Sequence, residues 1–129
     1  MSRRRSRRGS GTSPRWRSAE EAPRDAAEER ARRYLEGQGL RCLARNYSTR
    51  RGELDLVMAD GPVTVFVEVR RRSRGDYGGA LASVTAAKRR RLRRAAAAWL
   101  AQAPGWARFD VVAIEGDTLH WIPDAFRED

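Results

Sequence analysis

Two carboxylates lie inside the most apolar segments of the sequence. Asp55 is in GELDLVM (52–58) and Glu68 is in VTVFVEV (63–69), and both segments are rich in the residues typical of buried strands. Two ionised carboxylates held side by side repel each other, and burial makes this repulsion worse. A divalent cation reverses that cost, because Mg²⁺ and Mn²⁺ take oxygen ligands, often one or two carboxylates together with phosphate. The pair therefore predicts a Mg²⁺ or Mn²⁺ site.

Strand alternation indicates which side chains share a face of the predicted sheet. Leu54 and Leu56 are expected on one face of the first strand and Asp55 on the other. In the second strand, Glu68 and Arg70 share a face. If the two strands pair as a hairpin, Asp55 and Glu68 lie near each other on one face.

A third acid lies on the first predicted helix. Ala27, Ala31 and Leu35 fall on one apolar stripe of a helix with about 100° per residue. Glu28 lies at the margin of that stripe and can lean towards the sheet, whereas Glu29 is expected in solvent. Glu28 is therefore the candidate third metal ligand.

A structural interpretation of the same acids stays open. Asp55 could pair with an arginine, and Glu68 could form an internal salt bridge with Arg70 or Arg45. Buried polar groups often form such satisfied pairs.

The basic residues predict a polyanionic partner. The chain has 27 Lys and Arg against 17 Asp and Glu, and residues 1–17 hold seven arginines and no acid. Nucleic acid is the first candidate for such a partner. Contacts to its phosphates carry little sequence information, so recognition by backbone and shape is expected. The alternative for some of these residues is a solvated helix face. The candidate nucleic-acid-binding residues follow the Glu68 strand or cover the second long helix, which also carries Arg91: Arg70, Arg71, Arg72, Arg74, Lys88, Arg89, Arg90, Arg93 and Arg94.

Hydrophobic periodicity predicts a mixed five-stranded sheet flanked by helices, in the order α-β-β-β-α-β-β. A disordered Arg-rich tail is expected over 1–18, and one domain over 19–129. The second helix is long enough to connect parallel strands. The predicted elements are a helix over 18–36, strands over 40–47, 52–58 and 63–69, a Gly-rich loop over 72–80, a helix over 83–102, and strands over 108–114 and 118–122.

Composition excludes several classes of protein. With one cysteine, Cys42, and one histidine, His120, the chain has no internal disulfide, no Cys-rich zinc site and no multi-histidine metal site. No apolar run approaches the roughly 20 residues that span a bilayer. A cytoplasmic protein without membrane association is expected, and a homodimer is left open.

Five segments of the sequence together resemble the YraN family of small bacterial proteins: AEERARRYLEGQG, GELDLVMADG, VFVEVRRRS, YGGALASVTAAKRRRL and RFDVVAI. Asp55, Glu68 and Arg70 occupy the Asp-(x)n-Glu-x-Lys pattern of the restriction-endonuclease-like, or PD-(D/E)XK, nucleases. Glu28 matches the early-helix glutamate of the similar archaeal Holliday-junction resolvases. The resemblance implies a restriction-endonuclease-like fold and a nucleic-acid substrate, with branched or structured DNA favoured over RNA. It also implies catalytic roles for Asp55, Glu68 and Arg70, and metal binding by Glu28, Asp55 and Glu68.

Arg70 departs from the nuclease pattern, which has lysine at this position. Arginine stays protonated and cannot act as a base, but it can hold a phosphate or stabilise charge in a transition state. The sequence therefore leaves two principal functions open, a metal-dependent endonuclease and a non-catalytic nucleic-acid-binding protein that keeps the nuclease fold. A basic protein that binds an acidic protein partner is the third and weaker reading.

Overall fold

The structure, a computed structural model, describes residues 14–18, 25–72 and 77–127. One mixed sheet of six strands in the order β1-β2-β3-β4-β5-β6 runs through these residues, and helices pack on both of its faces. β4 and β5 are parallel, and all other neighbouring strands are antiparallel. The elements are β1 (Arg15–Arg17), α1 (Ala26–Gly37), β2 (Arg41–Thr49), β3 (Gly52–Asp60), β4 (Val63–Arg71), α2 (Tyr77–Ala82), α3 (Ala86–Gln102), β5 (Ala107–Glu115) and β6 (Thr118–Ile122).

The predicted α/β class is confirmed, and so is the helical connection between two parallel strands. The predicted number of strands is wrong, because Arg15–Arg17 forms a sixth strand on the edge of β2. The sequence predicts a disordered tail here because residues 1–18 are rich in Arg, Ser and Gly and have almost nothing to bury. Its one large apolar side chain, Trp16, lies 5.9 Å from the Tyr47 ring, between centroids. The rest of the predicted tail, 1–13, lies outside the described residues.

The first helix begins later than the predicted Ser18. Asp25 is the N-cap of α1, and its side chain accepts hydrogen bonds from the backbone N–H groups of Ala27 at 2.8 Å and Glu28 at 3.1 Å. An aspartate at this position satisfies two amides that have no partner within the helix. Residues 19–24 lie outside the described part of the chain.

The predicted Gly-rich loop over 72–80 is partly helical. Tyr77–Ala82 forms α2, and residues 73–76 lie outside the described part of the chain. α3 then begins at Ala86, where the Thr85 side chain accepts the backbone N–H of Lys88 at 3.2 Å. Val84, predicted within the long helix, precedes this N-cap and is still buried.

Two apolar cores lie on opposite faces of the sheet. The α3 side contains Ala44, Tyr47, Leu54, Val57, Phe66, Val84, Leu92, Ala95, Ala96, Val111 and Phe126. The α1 side contains Ala27, Ala31, Leu35, Leu40, Leu56, Met58, Val65, Val67, Val112 and Ile114. No helix of the described residues is long and apolar enough to cross a membrane.

The strand alternation predicted for β3 is broken at Asp55. Leu54 packs on the α3 side and Leu56 on the α1 side, although the sequence predicts both on one face. Asn46 in the adjacent strand has a φ of 54°, in the left-handed region. It lies between residues 45 and 47, which pair with Leu56 and Leu54. This left-handed residue of β2 therefore lies opposite the point in β3 where the two leucines on either side of Asp55 face opposite cores.

Asp110 on β5 is a fully buried carboxylate that the sequence analysis did not identify. Arg108 donates to it twice, from Nε at 3.0 Å and from Nη2 at 3.2 Å. Trp121 Nε1 and the backbone N–H of Asp124 also donate, each at 2.9 Å. Arg108 Nη1 further contacts Asp60 at 3.0 Å. Asp110 thus ties β6 and the C-terminal segment to the sheet.

Replacing Gly52 with alanine should destabilise the protein by about 2 kcal/mol, within the range for overpacking. A Cβ at this position would lie 2.0 Å from the backbone oxygen of Arg91, so the β2–β3 hairpin and α3 would have to separate. Denaturant unfolding measures the effect. Gly37→Ala is the matched control, because nothing lies within 4 Å of a Cβ there. Equal stability of both variants would show that the hairpin does not need this close approach.

Candidate functional site

The candidate site lies where β3 and β4 separate. Their backbone pairing begins at the turn, where Asp60 pairs with Val63, and ends where Leu56 pairs with Val67. Immediately beyond it, Asp55 Oδ2 accepts a hydrogen bond from the backbone N–H of Val69 at 2.8 Å. A side-chain oxygen thus replaces a strand carbonyl as the acceptor, and Asp55 is held at the opening between the two strands.

Three carboxylates meet at this opening and are called the carboxylate cluster: Glu28 from α1, Asp55 from β3 and Glu68 from β4. The pKa of Asp55 is raised well above its ordinary value, first by burial and then by the charge of Glu68. The charge of Glu28 and a hydrogen bond with it raise this pKa further, against the opposing hydrogen bond from Val69. The structure therefore brings together the three acids that the sequence predicted as neighbours.

Asn46 positions Glu28 within the carboxylate cluster. Its Nδ2 donates to Glu28 Oε1 at 2.8 Å, and its side chain is buried. Asparagine is one of the few residues that readily adopt the left-handed conformation seen here. The sequence does not single out Asn46, because an asparagine inside a predicted strand carries no local signal of a kink.

Glu68 is 4% exposed and lies between two cations. Its Oε2 is 3.0 Å from Arg70 Nη1 and 3.5 Å from Lys88 Nζ. Arg70 is oriented in turn by Ser83, whose Oγ is 3.2 Å from Arg70 Nε. The salt bridge between Glu68 and Arg70, left open by the sequence, is present. The first turn of α3 adds a lysine to the same carboxylate.

Of the two arginines offered as partners of Glu68, the structure uses Arg70, and the expected solvent position of Glu29 is wrong. Arg45 does not pair with Glu68; it is 3% exposed and lies 3.5 Å from Glu29, with further hydrogen bonds to the Ser18 carbonyl. Glu29, expected in solvent, has a side chain only 14% exposed. Hydrogen bonding by Arg32 lowers its pKa to about 2, despite the opposing effect of burial. Glu29 is shielded from solvent because Arg45 of β2 lies beside this edge of α1.

No arginine among the described residues pairs with Asp55, whose neighbours are Val69, Glu28 and Glu68. The described residues also contain no group of three or more His, Cys, Asp or Glu side chains arranged to hold a metal ion. Mg²⁺ commonly needs only one or two carboxylates, with substrate phosphate and water as its other ligands. Two adjacent carboxylates, one with a raised pKa, fit that donor set.

The predicted nucleic-acid-binding residues lie on several parts of the surface. Arg70 and Lys88 contact Glu68 of the carboxylate cluster. Arg71 pairs with Asp25 at 3.1 Å, on the α1 side. Arg89 lies over the Phe126 ring, 4.7 Å from its centroid. Arg72 lies near α1, and Arg93 lines a cavity of about 730 Å³ beside Phe126. Arg90 and Arg94 are exposed, and Arg74 lies outside the described residues.

Comparison with known proteins gives one consistent result. Residues 27–114 match the sequence model of the Uncharacterised protein family UPF0102. A UPF0102 protein of Halorhodospira halophila is 73% identical over 103 residues, which cover 80% of this chain and 85% of the relative. A UPF0102 protein of Klebsiella pneumoniae is 52% identical over 109 residues, 81% of this chain and 85% of the relative. The UPF0102 protein YraN of Escherichia coli is 51% identical over 109 residues, 81% of this chain and 83% of the relative.

Proposed function

The chain belongs to the UPF0102 (YraN) family, and from this premise we propose that it is a nucleic-acid-binding protein with a nuclease-like fold that cleaves DNA with the help of Mg²⁺ or Mn²⁺. The supporting observation is the carboxylate cluster, in which Asp55 interacts with both Glu68 and Glu28 at the opening of the sheet. When ionised, three acids from three elements would repel each other, and a shared divalent cation would relieve that repulsion.

Asp55 and Glu68 are the proposed metal ligands, and Glu28 is the third candidate. A bound divalent cation would polarise a phosphoryl oxygen and lower the pKa of its water ligand. Asp55 is already oriented for this role by the Val69 N–H. Glu68 would exchange its contacts with Arg70 and Lys88 for the cation.

Arg70 and Lys88 are the proposed phosphate-binding groups of the site. Both lie at the carboxylate cluster, within 3.0 Å and 3.5 Å of Glu68 Oε2. Arg70 cannot act as a base, but its planar guanidinium suits a phosphate. Lys88 brings an ammonium to the cluster from α3, although the strand position that carries lysine in the resembled pattern is arginine here. These cations would neutralise charge that develops on a phosphate during cleavage.

A non-catalytic nucleic-acid-binding protein is the second candidate function. The contacts of Glu68 favour it, because two cations already neutralise this carboxylate without a metal ion. In that case Asp55 and Glu28 would share a proton, and the basic side chains alone would bind phosphate.

The test is incubation of the protein with branched, single-stranded and duplex DNA and with RNA, each with Mg²⁺, with Mn²⁺ or with EDTA. Metal-dependent cleavage that favours branched or structured DNA is expected, and Glu68→Gln should lose it. Binding of nucleic acid without cleavage in either metal would support the second candidate. Failure to bind any nucleic acid, with binding of an acidic polypeptide instead, would overturn both.

A further inference from the structure

A basic groove lies beside the carboxylate cluster, between the tip of the β2–β3 hairpin and the first half of α3. This hairpin groove is a cavity of about 320 Å³, and its lining includes Thr49, Arg50, Arg51, Gly52, Lys88 and Arg91. Among the described residues that line it, four are cationic and one, Glu53, is acidic. Of these four described cations, Lys88 also contacts Glu68, and the other three lie farther along the groove, away from the carboxylate cluster.

The two walls of the hairpin groove are held close together. Thr49 Oγ1 accepts the backbone N–H groups of Arg51 at 3.1 Å and Gly52 at 3.2 Å, which fixes the turn. Gly52 then packs on the backbone of Arg91 so closely that a Cβ would lie 2.0 Å from its oxygen. Two arginines of the turn and one of the helix are therefore brought to one cavity by backbone contacts.

This arrangement concentrates positive charge, which Glu53 in the lining and the contact of Lys88 with Glu68 offset only in part. None of Arg50, Arg51 and Arg91 forms an ion pair with a described residue, whereas Arg71, Arg108 and Arg127 each pair with an aspartate. Like charges around one cavity repel unless an anion is present. The groove thus has the charge of a phosphate-binding site.

We infer that the hairpin groove binds the phosphodiester backbone of the nucleic-acid substrate, next to the phosphate at the carboxylate cluster. This rests on the proposed function and adds the path of the bound strand. Lys88 connects the two sites, because it lies 3.5 Å from Glu68 Oε2 and also lines the groove. A strand with one phosphate at the carboxylates would reach the three arginines with its following phosphates. Such contacts position a strand without reading its sequence.

The test is the triple variant Arg50→Gln/Arg51→Gln/Arg91→Gln, with DNA affinity measured by fluorescence anisotropy in EDTA over a series of salt concentrations. Each lost phosphate contact lowers the slope of log affinity against log salt by about 0.9 for duplex DNA, so three lost contacts lower it by about 2.7. Affinity at low salt should fall at least about tenfold, equally for unrelated sequences. Arg50→Gln alone, at the exposed tip of the turn, should show about a third of the change in slope.

The matched control is Arg33→Gln/Arg41→Gln/Arg127→Gln, which removes the same net charge from exposed positions outside the groove. The inference predicts a slope close to that of the wild type for this control. Equal losses in both triple variants would show that only overall charge matters, and would overturn the groove while leaving the proposed function intact. A wild type that binds no DNA or RNA would overturn the proposed function and the groove together.

Discussion

Asp55→Asn should abolish metal-dependent cleavage and leave the metal-free protein at least as stable as the wild type. A metal ion contributes several kcal/mol of transition-state stabilisation, so the loss in rate should be about a thousandfold. The side chain of asparagine can keep the hydrogen bond from the Val69 N–H and can donate to Glu28 without adding a negative charge. The free energy of unfolding of the metal-free variant should therefore rise by about 1 kcal/mol at neutral pH, the contribution of one hydrogen bond.

The pH dependence of stability gives an independent measurement of the same effect. Burial, Glu68 and Glu28 raise the pKa of Asp55 in the folded state. Between the unfolded pKa of Asp, about 3.9, and this raised value, the folded state binds more protons than the unfolded state. The contribution of Asp55 to stability is therefore full below the unfolded pKa and is lost as the pH rises through the folded pKa. The stability of Asp55→Asn should therefore decline less than that of the wild type as the pH rises through this range.

Thermal melting with and without Mg²⁺ or Mn²⁺ completes the comparison. The wild type should gain about 2.7 kcal/mol when the metal is at a hundred times its Kd, whereas Asp55→Asn should gain much less. Asp60→Asn, at the other end of the same strand, is the control and should respond to metal like the wild type. A wild type that gains nothing from either metal, with a variant destabilised by about 3–5 kcal/mol, would instead give Asp55 a purely structural role.

Asp110→Asn should lower the free energy of unfolding by about 3 kcal/mol, because it removes the charge from a fully buried acceptor. The new amide would also direct a donor at the donors of Arg108 and Trp121. This loss of stability lies near the lower end of the range for a broken buried ion pair. The reason is that the Arg108 side chain is 22% exposed and keeps its ion pair with Asp60. Denaturant unfolding measures the change.

Asp60→Asn is the control for this effect as well. This change removes only the outer of the two carboxylates that Arg108 contacts. The Asp60 side chain is 47% exposed. Exposed ion pairs contribute about 1 kcal/mol or less, so the control should change stability little. If the two variants were equally stable, the network around Asp110 would not hold the C-terminal segment.

The three acids of the candidate site could be selected from the sequence because they carry strong local signals. Asp55 and Glu68 interrupt two apolar strand segments, and an acid inside such a segment is visible without a structure. Glu28 was distinguishable from its neighbour by its angle on the helical stripe. The parallel connection followed from the length of the second helix. These inferences needed only period, polarity and spacing, which depend on residues close together along the chain.

The environment of those acids was decided by tertiary packing. Asn46 reaches Glu28 across 18 positions of the sequence, and Lys88 approaches Glu68 from α3 across 20. The left-handed conformation of Asn46 and the break in alternation at Asp55 are also not indicated by any periodicity in these strands.

The sequence by itself thus determined the α/β class, the helical connection between two parallel strands and the three candidate acids. The tertiary structure decided that Arg70 and Lys88 pair with Glu68, how the strands separate at Asp55, and that a basic segment of the predicted tail forms an edge strand. It also gathered Arg50, Arg51 and Arg91 around one groove. The physical reason is that hydrophobic periodicity specifies which face of an element is buried. It does not specify which polar groups of distant elements meet there, because those contacts depend on the packing of the whole domain.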